Sequence, residues 1–207
     1  MRIIASDADV HAGAMWLVGQ DHRWANALAV TQPLPLRRKP DGFAELLSAI
    51  VGQQVSTQSA AAIWARLREA GLTAPETVSA APEATLRTLG LSRQKIRYAK
   101  ALADTPLDYD ALRDLSSAEV VKTLTHVPGI GTWTAEIYAK FSLGHADVFA
   151  CGDLALQEGA RLLFDLPERP NERQLRRIAE AWSPWRAVAA RILWAYYRVR
   201  KQREGIR

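Results

Sequence analysis

Two short stretches hold the residue types best suited to chemistry. The first is Val127-Pro128-Gly129-Ile130-Gly131, followed by Thr132. Gly129 and Gly131 permit positive φ and present no side chain, so an anion can reach the backbone. The N–H groups of such a turn, and those of a helix opening near Thr132, point outward without intrahelical partners. With the partial positive charge of a helix N-terminus they form an anion site that needs no lysine. A phosphate held there is gripped without its sequence being read. A plain helix–helix turn would use the same glycines and proline. The second stretch ends at Asp153, ahead of Leu154. An aspartate there has two readings, as a helix N-cap or as a carboxylate available to a reaction. Asp147 is a competing carboxylate, read as a turn or capping residue.

Helices must position these groups, because the apolar pattern is helical almost throughout. Phe43, Leu46, Leu47, Ile50 and Val51 form one stripe. Ser56 caps a helix with Ala60, Ile63, Trp64 and Leu67 on its inner face. Pro82 suits a first turn, Gly90 a C-terminus, and Ser92 opens a helix through Ile96, Ala99 and Leu102. Ser116 and Glu119 have capping-box spacing. Further helices are predicted over 132–143 and 153–164, from Asn171 through Trp182, and from Pro184 onward with Trp185, Val188, Ala189, Ile192 and Tyr196 inward. No segment alternates with period two, so the fold class is all-α. Thr31 to Gly42, TQPLPLRRKPDG, reads as an extended, solvated linker.

Composition narrows the classes. The chain has 207 residues and a single cysteine, Cys151, which rules out an internal disulfide or a four-cysteine iron–sulfur cluster. Its four histidines show no metal-ligand spacing. No apolar run reaches the ~18 residues of a membrane helix, and the N-terminus does not resemble a secretory signal. The net charge of +5 hints at a polyanionic partner. The basic groups Arg37-Arg38-Lys39 and Arg198 to Arg203 are read either as phosphate contacts or as solvated surface. Trp64, Trp182 and Trp185 are assigned to the core, with Trp16 and Trp24 ambiguous.

From Val127 to Asp153 the chain reads VPGIGTWTAEIYAKFSLGHADVFACGD. This resembles the helix-hairpin-helix (HhH-GPD) DNA glycosylase superfamily, and within it the branch of bacterial 3-methyladenine DNA glycosylase II. Ala49 to Ser56, AIVGQQVS, resembles the family's helix and DNA-wedging loop, and Pro184 to Trp194, PWRAVAARILW, its closing helix. The resemblance spans roughly Asp41 to Tyr197. It implies two helical lobes with a cleft between them, one of residues 42–144 with the hairpin, the other of 1–41 plus 145–207 with the catalytic aspartate. It implies Asp153 as the catalytic carboxylate. Trp133, Trp194, Ile137 and Tyr138 would line the base pocket. Val127, Gly129, Ile130, Gly131, Thr132, Gln53 and Gln54 would meet DNA, Gln54 filling the gap left by an extruded base.

Ile137 stands where a relative has a pocket tyrosine, and Gln54 where it has an apolar wedge. Superfamily members that also cut the strand carry a lysine at the place of Trp133, so a Schiff base to the sugar is not expected here. The implied activity is monofunctional excision of alkylated bases of the 3-methyladenine kind, by hydrolysis of the N-glycosidic bond. Rivals are a uracil or mismatched-thymine glycosylase, a non-catalytic hairpin module, and a helical scaffold with no DNA role. No cofactor is expected, apart from a monovalent cation that the resemblance allows on hairpin backbone 126–131. The expected partner is double-stranded DNA with damaged bases, met by a monomer in the cytoplasm, associated with a bacterial nucleoid.

Overall fold

The computed structural model describes residues 1–203, with no account of the Arg203 side chain, so the last position of the basic tail lies outside the described side chains. The α-helices are α1 Asp7–Gln20, α2 Arg23–Thr31, α3 Phe43–Gly52, α4 Thr57–Glu69, α5 Pro75–Ala80, α6 Glu83–Thr88 and α7 Arg93–Asp104. They continue with α8 Tyr109–Leu112, α9 Ser117–Thr125, α10 Thr132–Tyr138, α11 Leu154–Phe164, α12 Glu172–Ile178 and α13 Arg186–Arg203. Among the described residues there is no strand, only an isolated bridge between Ile3 and His145. No described helix is long and apolar enough to cross a membrane.

Side-chain caps set many of the boundaries. Ser56, Ser92, Ser116 and Asn171 accept from the backbone N–H three residues on, opening α4, α7, α9 and α12. Each such cap is worth about 1 kcal/mol. Three elements depart from the sequence reading. The helix expected over 132–143 is α-helical only to Tyr138, and Ala139–Leu143 forms a π turn. The helix expected through Trp182 tightens into a 3-10 turn at Ala179–Trp182, and the last helix begins at Arg186 rather than Pro184. Helices α1 and α2 have no counterpart in the sequence reading. The signal for α1 is nonetheless present, since Ser6 and Asp9 cap each other reciprocally at S-x-x-D spacing.

The chain divides into two compact units, residues 39–138 and residues 1–38 with 139–207. In the first, α3 packs on α4, α7 and α10, while α9 packs on α10 and α5 on α7. In the second, α13 is the hub on which α1, α2 and α11 pack. The α11–α13 approach is close: a Cβ on Gly159 would lie 2.7 Å from the Leu193 carbonyl oxygen. Trp24, Phe149, Phe164 and Trp182 form an aromatic core there, with ring centroids 5.2 to 5.6 Å apart. Fully buried, Trp24 is thus a core residue. The stretch at 32–42 has no regular structure, as expected, but it is anchored: the Leu36 carbonyl accepts from Arg191 at 2.9 Å.

Candidate functional site

In the unit of residues 39–138, the hairpin between α9 and α10 is closed by the Ile130 N–H donating to the Val127 carbonyl at 3.0 Å. Gly129 has φ 93°, and a Cβ there would lie 2.4 Å from Cγ of Tyr98. Two constraints therefore demand glycine at this position, left-handed backbone and the ring packed beneath it. Val127 and Ile130 are 2% and 4% exposed, so their side chains anchor the turn and only their backbone can meet a ligand. Gly131 and Thr132 are exposed.

Gln53 comes to the hairpin rather than pointing away from it. Its Nε2 donates to the Gly129 carbonyl at 2.9 Å, tying the α3–α4 loop to the turn. Beside it, Gln54 is exposed in left-handed backbone at φ 55°. The preceding helix end is held by Lys95, whose Nζ donates to the Val51 carbonyl at 2.7 Å. An ammonium there matches the negative end of α3, and burial holds its pKa below the ordinary lysine value. Val55, next on the loop, is 39% exposed and offers the apolar surface that Gln54 lacks. Sequence reasoning missed it because the loop pattern drew attention to the glutamines.

On α10, Trp133 is 47% exposed and Ile137 is half-buried. Tyr138 is placed otherwise. It is 3% exposed, and its hydroxyl accepts from the Gly42 N–H at 2.7 Å. Burial pushes its phenol up to about 12. It pins the entry to α3.

In the other unit, Asp153 is the N-cap of α11. Its Oδ1 accepts from the Ala155 and Leu156 N–H groups at 2.9 and 3.1 Å. The residue is half-buried, so the carboxylate is both fixed and within reach of solvent. The loop before it is fixed too: Asp153 N–H donates to the Ala150 carbonyl, and Nε2 of buried Gln157 to the Cys151 carbonyl at 2.9 Å. Both readings of Asp153 thus concern one geometry. A cap through one oxygen aims the carboxylate and adds the helix's positive end to its environment. Leu154, its neighbour, is 62% exposed. Asp147 is structural, though through an ion pair rather than the turn or cap expected of it: it accepts from Arg186 at 2.5 Å and from Ser183 at 2.9 Å.

Trp194 is half-buried on α13. Phe141 stacks with it at 5.8 Å between centroids, and the Lys140 ammonium lies 4.1 Å from its ring centroid. Lys140 is fully buried, and Arg191 is 3% exposed. The sequence signal for both was a charge on an apolar helical face. Among the described residues, no cluster of three His, Cys, Asp or Glu side chains could hold a metal.

The chain matches the family described as HhH-GPD superfamily base excision DNA repair protein over residues 47–184. It is 30% identical over 200 residues to DNA-3-methyladenine glycosylase 1 of Schizosaccharomyces pombe, covering 90% of this chain and 85% of that one. A DNA-3-methyladenine glycosidase crystal structure from Bacillus halodurans superposes with TM-score 0.80 at 33% identity, covering 90% and 89% of the two chains. The S. pombe 3-methyladenine DNA glycosylase in complex with abasic DNA superposes with TM-score 0.76 at 28% identity, covering 88% and 95%.

Proposed function

Because the chain belongs to the HhH-GPD superfamily of base excision DNA repair proteins, we propose that it is a monofunctional DNA glycosylase that hydrolyses the N-glycosidic bond of alkylated bases. The observation that carries the reading is Asp153. It is a half-buried carboxylate locked on a helix N-terminus, 22 positions after the Gly131 of a phosphate-type hairpin. The relatives whose names speak of 3-methyladenine support the substrate class, and the relative bound to abasic DNA supports duplex DNA as partner.

A base inside a duplex is shielded, so its nucleotide must first leave the stack, at a cost of a few kcal/mol. Hairpin N–H groups would hold the backbone, while Gln54 and Val55 would fill the vacated space. As the base departs, positive charge grows on the sugar. A carboxylate at ~4 Å and an effective dielectric near 20 lowers that state by about 4 kcal/mol. Asp153 would also orient the attacking water.

Alkylated purines such as 3-methyladenine leave as good leaving groups and need little acid assistance. An indole face attracts a cationic base by about 0.5–2 kcal/mol. Of the two tryptophans, Trp133 has the larger open surface, while the ring of Trp194 already carries the Lys140 ammonium. Trp133 therefore takes the recognition role, and it supplies no amine for strand cleavage.

A monovalent cation on the hairpin carbonyls remains part of the proposal. The Val127 and Gly129 oxygens each accept one hydrogen bond, and a carbonyl has a second lone pair. Backbone carbonyl oxygens without a carboxylate can coordinate a singly charged ion, and no chemical step runs through it. The protein would act as a monomer on damaged duplex in the cytoplasm, at a bacterial nucleoid.

The test is incubation with methylated and with uracil-containing duplex. Release of free alkylated purine without strand scission supports the reading. Release of uracil alone reassigns the substrate, and binding without any base release reduces the protein to a hairpin module.

A further inference from the structure

The charged side of α13 is not used by the chemistry above. Arg191 is 3% exposed, yet its guanidinium meets neutral acceptors. One terminal nitrogen donates to the Ala187 carbonyl and the other to the Leu36 carbonyl, both at 2.9 Å. Its Nε, equally buried, has no hydrogen-bond partner among the described residues. Phe141 provides partial compensation, with its ring centroid 5.1 Å from the guanidinium carbon. A buried cation without an anion is costly.

Its charged neighbours are of the same sign. Burial first, then Arg37 and Arg38, bring the Arg191 pKa down to about 10, so it stays cationic at neutral pH. Arg191 lines a recess of about 10 Å³ together with Pro35, Arg37, Trp194, Ala195 and Arg198. Such a volume admits one water-sized atom. Arg37 and Arg198 are exposed at this recess. Arg37 also stands in left-handed backbone at φ 52°, a conformation that costs an arginine free energy. The residue before it, Leu36, is the one Arg191 ties down through its carbonyl. Strained backbone beside a buried charge whose partners are all neutral marks a place shaped for a ligand.

We propose that this recess is an anion seat that takes one oxygen of a phosphate, with Arg191 beneath it and the exposed Arg37 and Arg198 sharing the remaining charge. Three guanidiniums from two chain segments match a tetrahedral phosphate better than a planar carboxylate, which one guanidinium fork already satisfies. A DNA phosphodiester and free phosphate share this chemistry. The DNA arm rests on the proposed glycosylase reading, whereas the seat itself does not.

The experiment uses the full chain and the double variant Arg37→Asn with Arg198→Gln. Both positions are exposed, and asparagine tolerates left-handed backbone. Affinity for an undamaged duplex is measured against sodium chloride concentration. Losing one phosphate contact lowers the slope of log K on log salt by about 0.9. Between ~50 and ~200 mM salt, the variant then loses about 3.5-fold less affinity than wild type. Single methylphosphonate substitutions along the duplex locate the contact: one position weakens wild type and leaves the variant unaffected. In parallel, inorganic phosphate is compared with chloride at equal ionic strength in thermal melts. A phosphate-specific stabilisation of wild type, absent in the variant, assigns the seat to free phosphate as well. An unchanged salt slope together with no phosphate-specific melting shift overturns the seat. If wild type releases no base, the glycosylase reading falls while the phosphate melts still judge the seat.

Discussion

Replacing Asp153 separates its two roles, because asparagine and alanine remove different parts of it. Oδ1 receives the Ala155 and Leu156 N–H groups at 2.9 and 3.1 Å. An asparagine side chain would keep an oxygen in that place, and the Asp153→Asn protein would keep the cap while losing the charge's interaction with the helix N-terminus, about 0.3–1 kcal/mol. The Asp153→Ala protein would lose the cap itself, about 0.5–2 kcal/mol. For a chain of this size 1 kcal/mol shifts Tm by roughly 2–4 °C. The expected melts are therefore a drop of up to ~4 °C for asparagine and up to ~8 °C for alanine. The chemical step follows a different order. Both substitutions remove the negative charge, so both forfeit the ~4 kcal/mol of stabilisation of a cationic sugar. That is roughly a thousandfold in rate. The assay is single-turnover release of free base from methylated duplex, with enzyme in excess, beside thermal melts of the same preparations. If Asp153 were only a cap, the asparagine protein would release base at nearly the wild-type rate. A rate for Asp153→Asn within about tenfold of wild type would refute the catalytic assignment.

Gly129→Ala meets both left-handed backbone and the Tyr98 ring, since its Cβ would lie 2.4 Å from Tyr98 Cγ. The hairpin must shift: duplex affinity should fall at least tenfold, and Tm should drop by more than the backbone cost of about 1–2 kcal/mol alone implies. Gly159→Ala drives a Cβ to 2.7 Å from the Leu193 carbonyl oxygen and should destabilise by about 1–3 kcal/mol, read by urea unfolding. His145 is fully buried, and burial first, then Arg38 and the N-terminus, lower its pKa from 6.5 to about 4. The unfolded chain protonates it first, so the stability it favours is complete above pH ~6.5 and is lost as pH falls toward ~4. The loss amounts to about 3 kcal/mol over that window, and His145→Gln should flatten that part of the pH–stability curve whatever its effect at pH 7.

What could be read in the sequence was local. Caps such as Ser116 with Glu119 are satisfied within one turn, so four residues state the whole interaction. The hairpin is legible for the same reason, since glycine at 129 encodes a backbone angle. Side chains whose meaning depends on a distant partner were not legible. Nothing near Gln53 announces the Gly129 carbonyl, 76 positions on, that its amide holds. Tyr138 looks like a pocket residue until Gly42, 96 positions away, is found at its hydroxyl. The π turn at Ala139–Leu143 keeps the helical spacing of its apolar residues, so periodicity passes over it. Lys140 and Arg191 interrupt apolar faces, a visible anomaly whose compensation by Trp194, Phe141 and Leu36 only the folded chain supplies. Asp153 shows where local reading stops. Its spacing to Leu154 states a cap, and the structure contains that cap. The same bond that satisfies the helix also fixes a charge at the edge of solvent. Cap and catalyst are therefore not competing explanations of this residue: the first supplies the rigidity on which the second depends.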